Sequence, residues 1–368
     1  YFKQFISDQT IGMARINRFD FTTLPINLLY LLYYEYRRNE KESLNFSFFE
    51  YGKNSNGNPD DDRWEMYLEL QEMYAILQRW YNDKELYHYL GFLFFNFKAQ
   101  TPFRDIYTQW KTLNSRDKFL KDIQHTIATR MLDRYLEETE KAAPDYQKCL
   151  KTMTEAISDF RENWYNNDKE LYQILILLDI FRILDSKSIK KLPTDYFTRK
   201  SGQKDGEDKE HILSQTPRKD NGEIATIKTD WEKFAQSEDF KDIRSQMQEI
   251  LNHSDAELTE QELTQLQNLL NSAGLNSIGN MVLLDLRINR SYGNADYAHK
   301  RTIIFQEYMN QKYVRPHTLA VFMKGDIDAR EATGIPLNRW TLEDIKRNTD
   351  KIAKEIGKNF NAWLTQNN

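Results

Sequence analysis

Cysteine occurs once in the 368 residues, at Cys149. A single thiol excludes an intramolecular disulfide and any zinc centre built on two thiolates, and it points to a reducing compartment, the cytoplasm. Cys149 sits in a helical context without a nearby histidine and reads as a packed thiol. Glycine (13) and proline (8) are scarce, which excludes a collagen-like or low-complexity chain. Long apolar runs are missing too. Residues 24–34 and 171–184 are too short or too interrupted, by Asn27, Gln173 and Asp179, to span a bilayer, so a soluble chain without a membrane partner is expected. The start, Tyr1-Phe2-Lys3, lacks Met and a signal-peptide layout and reads as a chain entered in mid-protein. An excess of positive charge is also absent. The net charge is -5, so a polyanion would have to be met by a local patch.

Aromatic residues are abundant, with 21 Phe, 21 Tyr and 7 Trp, and the hydrophobic content of 40% supports a sizeable core. The length suggests about two domains. Over residues 24–184, Leu, Tyr, Glu and Lys recur at three- and four-residue spacings, the helical period. Tyr67, Leu70, Tyr74, Leu77, Trp80 and Tyr81 fall on one stripe, expected to pack on a core. A repeat, Trp80-Tyr81-Asn82-Asp83-Lys84-Glu85-Leu86-Tyr87, returns about 85 residues later as Trp164-Tyr165-Asn166-Asn167-Asp168-Lys169-Glu170-Leu171-Tyr172. Each copy reads as a turn that caps an apolar helix, an architectural device. His88, just past the first copy, is expected to be buried.

The pattern changes near Lys191, where Pro193, Gly202, Gly206 and dense charge break the helical spacing. This gives a helical domain over 1–190 and a second domain over 191–368. Within the second, residues 228–273 are expected to form a helical insertion, with Thr259 and Glu262 as a capping box. An apolar strand-like segment follows at 278–286, and residues 341–365 read as a capped amphipathic helix burying Ile345, Ile352, Ile356, Phe360 and Trp363.

The chemistry-bearing residues gather in this second part. Glu210-His211 precedes Asn280-Met281-Val282-Leu283-Leu284, and Asn289 lies nine residues beyond Asn280. Phosphodiester hydrolysis requires a base for water, a group to hold that base, and a cation against the developing charge. His211 can be the base and the Asn280 carboxamide can fix its imidazole. Glu210 and Asn289 offer hard oxygens suited to magnesium, with manganese an alternative. Of the remaining histidines, His125, His253 and His317 have no partner at ligand spacing, and His299, next to Lys300, is placed to approach a substrate.

Glu210-His211-Ile212-Leu213-Ser214-Gln215 and the Asn280 to Asn289 spacing resemble the His-Asn-His/Asn (HNH, His-Me finger) nuclease motif. The wider pattern, Leu275-Asn276-Ser277-Ile278-Gly279-Asn280 with Asn294, Tyr297 and Lys300-Arg301, is similar to the C-terminal nuclease domain of GmrSD-type modification-dependent restriction proteins. The first copy of the repeat is similar to their helical middle region. The resemblance implies a mainly α protein, a helical domain followed by an α+β ββα-metal nuclease domain formed by a β-hairpin and a helix. It implies His211 as general base, Asn280 as its orienting group, and Glu210 and Asn289 as metal ligands. On the substrate side it implies Lys300, holding either a phosphate or the folded motif, with Arg287, Arg290 and Arg301 on phosphates and Asn294 and Gln215 beside them.

Ser214 stands where the family has proline, at a position that shapes the strand end and supplies no ligand. The family's N-terminal nucleotide-handling signature, Asp-Gly-Gln-Gln-Arg, is not found, so the resemblance implies an upstream nucleotide-binding domain outside this chain or lost from it. The function implied is a magnesium-dependent DNA endonuclease in restriction of phage or modified DNA. Two other readings stay open: an inactive nucleic-acid-binding or protein-interaction module, and a ribonuclease or toxin. The charge distribution suits a polyanion, since residues 199–219 hold six Lys/Arg against four Asp/Glu and residues 287–301 hold four against one. A solvated basic face explains the arginines equally well.

Overall fold

The computed structural model describes residues 25–37, 59–97, 102–188, 191–197, 206–214, 216–217, 223–286, 288, 297–324 and 338–366. These form two compact units, one from the described parts of 1–131, 183–198 and 363–368, the other from 132–182 and 199–362. The protein is mainly helical, with one two-stranded antiparallel sheet among the described residues.

The first unit comprises α1 (Pro25–Arg37), α2 (Pro59–Asn82), α3 (Lys84–Asn96), α4 (Phe103–Leu113) and most of α5 (Arg116–Leu132). Asp83 ends the Trp-Tyr-Asn-Asp turn and caps α3, accepting from the Glu85 and Leu86 amides at 3.0 and 3.1 Å. Arg116 clasps the same carboxylate through Nε and Nη2. α3 is apolar on all sides and is accordingly buried from Leu86 to Phe95. His88 within it has no exposed surface. Its Nε2 accepts from the Leu192 amide at 2.9 Å, and Nδ1 faces the Lys84 carbonyl oxygen at 2.5 Å.

The stripe on α2 differs from the sequence expectation. Leu70, Met73, Leu77 and Trp80 are buried, whereas Tyr67 and Tyr74 are about half exposed. The buried arc is narrower than the period alone implies. The two tyrosines flank it and accept hydrogen bonds on their hydroxyls from Gln71 and Gln78, one turn on.

In the second unit the chain runs through α6 (Tyr146–Ser158), most of α7 (Asp168–Asp185), β1 (Glu207–His211), α8 (Lys228–Ala235), α9 (Arg244–Asn252), α10 (Glu260–Ser272) and β2 (Met281–Asp285). It then forms α11 (Tyr297–Met309), α12 (Pro316–Met323) and most of α13 (Leu342–Thr365). The strands pair antiparallel with Glu207 opposite Asp285 and His211 opposite Met281. Helices α8 to α10 lie in the chain between the strands, and the Thr259/Glu262 capping box opens α10.

The apolar β2, Met281 to Leu284, is fully buried. Val282 and Leu284 join a core with Trp231, Leu266, Leu270, Phe322 and Ile345. The closing helix buries Ile345, Ile352, Ile356, Phe360 and Trp363. Two glycines are set by their surroundings. Gly274 ends the turn after α10 at φ +90, a left-handed conformation that costs glycine little. Gly279 lies so close to α13 that a Cβ would sit 2.3 Å from the Ile345 carbonyl oxygen.

Candidate active site

β1 is polar along its length, Glu-Asp-Lys-Glu-His, and each of these side chains has a partner in the second unit. Glu207, buried at the strand's start, receives Arg315 through Nε at 2.8 Å and Nη2 at 2.7 Å. Arg315 also reaches Asp179 of α7 through Nη1 at 2.7 Å, and the Asp179 Oδ1 accepts from the His317 amide at 2.8 Å. Burial pushes the Asp179 carboxyl up to about 6, against the pull of Arg315. This locks α7, β1 and the start of α12 together in the dry interior.

At the strand's other end lies His211. Its Nε2 is 2.9 Å from the Oδ1 of Asn276, and its ring stacks on Tyr165 with centroids 4.7 Å apart and planes 21° from parallel. Tyr165 belongs to the second copy of the Trp-Tyr-Asn repeat. Lys209 lies over the same ring, 4.0 Å from its centroid, and donates to the Tyr165 carbonyl and to Asp168. The Trp164 amide donates to the Asn276 carbonyl at 2.9 Å, which joins the repeat to the segment before β2.

Asn280 does not touch the imidazole. Its side chain, fully buried, accepts from the Leu213 amide at 2.8 Å and donates to the carbonyls of Leu213 and Leu275 at 3.0 and 2.9 Å. The Ile212 amide donates to the Asn280 carbonyl at 2.9 Å. Asn280 therefore staples the chain leaving β1 to the chain entering β2, and the ring contact expected of it is made by Asn276. The short 3-10 turn Ile278–Asn280 separates the directions of the two carboxamides.

Lys300 is likewise placed differently from a phosphate-binding residue. Its side chain has no exposed surface, and Nζ donates to Glu210 Oε1 at 2.9 Å and to the His211 carbonyl at 2.7 Å. Burial lowers the affinity of this amine for its proton, and Glu210 acts in the opposite direction. Of the two roles that the sequence left open for Lys300, the structure gives the second, holding the folded motif. Arg301 donates through Nε to the Phe322 carbonyl at 3.0 Å, capping the end of α12, with its guanidinium over Phe305. Asn289, Arg287, Arg290, Asn294 and Gln215 lie outside the described residues.

Glu210 is the described residue that fits a hard cation. One carboxylate oxygen is committed to Lys300 and the side chain keeps 19% exposure. Among the described residues, no three His, Cys, Asp or Glu side chains gather to cage a metal. A carboxylate beside a histidine offers hard oxygen of the kind that suits an ion keeping most of its waters, as magnesium does.

Sequence reasoning missed Tyr165, Asn276 and Asn271, which accepts from Asn276 Nδ2 at 2.7 Å. The repeat and the run before Asn280 were the available signals. No helix of the described chain is long and apolar enough to cross a membrane. No curated protein and no solved structure matches the chain. The description "GmrSD restriction endonucleases, C-terminal domain" matches residues 154–355, more than half of the sequence. This stretch spans both strands, Tyr165, His211, Asn276, Asn280 and Lys300, and the chain belongs to that family.

Proposed function

We propose that the protein is a divalent-metal-dependent endonuclease of the HNH, ββα-metal type that hydrolyses DNA phosphodiester bonds in restriction of phage or modified DNA. The observation that carries this reading is the setting of His211. Its ring ends a strand, is fixed on one edge by Asn276 and on one face by Tyr165, and adjoins Glu210. A ring held in this way has lost its rotational freedom before substrate arrives, which is the condition for an efficient general base.

In this mechanism His211 takes a proton from the water that attacks phosphorus in line with the leaving oxygen. Glu210 and Asn289 hold magnesium or manganese. The bound cation supplies positive charge against the negative charge that grows on the phosphoryl and leaving oxygens. Lys300 fixes Glu210 and the His211 carbonyl from the interior, and Asn280 holds the loop that carries Ser214. Arg287 and Arg290 contact phosphates, and Asn294 and Gln215 supply polar contacts beside them. The second unit, which brings Tyr165 and Asp179 together with β1 although the sequence boundary near residue 190 put them in the helical domain, acts as the nuclease domain. The first unit acts as a helical domain that recognises substrate or couples to an upstream nucleotide-binding domain.

The test is cleavage of supercoiled plasmid, modified phage DNA and structured RNA with magnesium or EDTA, beside His211→Ala. Metal-dependent DNA cleavage that vanishes in the variant supports the reading. RNA cleavage alone makes the protein a ribonuclease, and binding without cleavage on every substrate makes it a recognition module. Cleavage unchanged in His211→Ala refutes the role of His211.

A further inference from the structure

We infer that Asn276, itself held by Asn271, is the positioning residue that fixes His211 as its Nε2–H tautomer and so sets the imidazole lone pair on Nδ1. The inference rests on the proposed role of His211 for its effect on activity, but not for the tautomer itself.

A neutral imidazole carries one proton, and the group facing each nitrogen decides where it resides. Asn276 presents its carbonyl oxygen, Oδ1, to His211 Nε2 at 2.9 Å. An amide oxygen only accepts, so Nε2 must donate. The carboxamide is engaged at its other end too, where Asn276 Nδ2 donates to Asn271 Oδ1 at 2.7 Å. Asn271 lies in the last turn of α10, so the helical insertion between the strands terminates in a two-amide relay onto the base.

Asn276 has little freedom to turn. It is 5% exposed, and its carbonyl accepts from Trp164. Leu275 is tied to Leu270, and Ser277 to Gly274, by backbone hydrogen bonds. The backbone of Asn276 is thus anchored on both sides. Tyr165 adds the plane of the ring, and Asn276 adds its rotation within that plane and the site of the proton.

The inference is tested on the full chain, labelled with 15N in histidine, by long-range 1H–15N correlation at a pH where His211 is neutral. His211→Gln identifies the signal. The Nε2–H pattern is expected in the wild type, retained in Asn276→Asp, which keeps an acceptor, and replaced by a mixture of tautomers in Asn276→Leu. An Nδ1–H pattern in the wild type, or an unchanged pattern in Asn276→Leu, overturns the inference whether or not the protein cleaves DNA.

Where cleavage is measurable, Asn276→Leu should lower kcat about 10- to 100-fold with KM within about twofold, as loss of a group that orients a catalytic side chain does. Asn276→Asp should restore most of it. A fall in kcat equal in both variants, following the folded fraction, identifies a merely structural residue and overturns the positioning role.

Discussion

The ammonium of Lys300 meets the carboxylate of Glu210 at 2.9 Å from a side chain with no exposed surface, although the two lie 90 residues apart in sequence. The pair sets a charged residue of the proposed metal site on the interior of the second unit. Lys300→Met removes the charge with little change in volume and strands a largely buried carboxylate. We expect a loss of about 3 kcal/mol, at the lower end for buried pairs because Glu210 retains some exposure. Adding Glu210→Gln should recover most of that loss in urea unfolding. A double variant no more stable than Lys300→Met would remove the pair from the account.

His88 makes the first unit sensitive to acid. Its pKa falls to about 4, chiefly by desolvation, with the Lys84 carbonyl acting in the opposite direction. The unfolded chain, with histidine near 6.5, binds the proton first as pH drops. Stability from this group is therefore full above about 6.5 and is lost as pH falls towards about 4, a change of about 3 kcal/mol. His88→Gln should flatten that part of the pH dependence of unfolding.

Asp179 leans the other way in the second unit. Its pKa rises from 3.8 to about 6, so the native state holds the proton through that window. The contribution is full below about 3.8 and is lost as pH rises through about 6. Asp179→Asn keeps an oxygen for the His317 amide and leaves Arg315 paired with Glu207, and it should cost about 1 kcal/mol or less at pH 7. Asp179→Ala, which leaves that amide unanswered, should cost about 3 kcal/mol. Equal losses in the two variants would contradict this account of the buried triad.

Gly279 tolerates no side chain. The added Cβ of Gly279→Ala would lie 2.3 Å from the Ile345 oxygen and 2.6 Å from the Thr349 nitrogen, both backbone atoms of a long helix. A loss of about 3 kcal/mol is expected. Because Asn280 is the next residue, amide exchange at Leu213 should accelerate in the same variant beyond what global unfolding accounts for.

Tyr165 is expected to act through its ring and not its hydroxyl. Tyr165→Phe should leave cleavage within about twofold, whereas Tyr165→Leu should reduce kcat about tenfold through a looser His211. A larger effect of the Phe variant than of the Leu variant would assign the role to the hydroxyl.

Much of this was legible along the chain. The apolar strand after Asn280, the Thr259/Glu262 cap and the inward face of the last helix follow from local patterns of period and capping, whereas the Glu210-His211 strand, polar throughout, followed only from the resemblance; all four appear as such. The detail of the site was less so. Asn276 and Asn280 are both asparagines in one short run, and spacing does not say which faces His211, because a single 3-10 turn decides it. Lys300 and Arg301 look alike as a basic pair, yet one side chain is buried against Glu210 and the other caps a helix. Tyr165 reaches His211 from 46 positions upstream, a contact made only by tertiary packing. On α2, helical period put Tyr67 and Tyr74 on the right side without giving the width of the buried arc.

His211 and Asn276 are 65 residues apart, with three α-helices among the described residues between them. The strands can pair only after that length of chain has been synthesised and its ends have met, and closing such a loop costs entropy that local turns do not. A ribosome that has made β1 but not β2 carries a histidine without its partner strand, its tautomer relay or the staple at Leu213. During synthesis the base is consequently assembled only once β2 has followed β1, and a chain broken off before residue 276 carries the proposed nucleolytic histidine without the means to aim it.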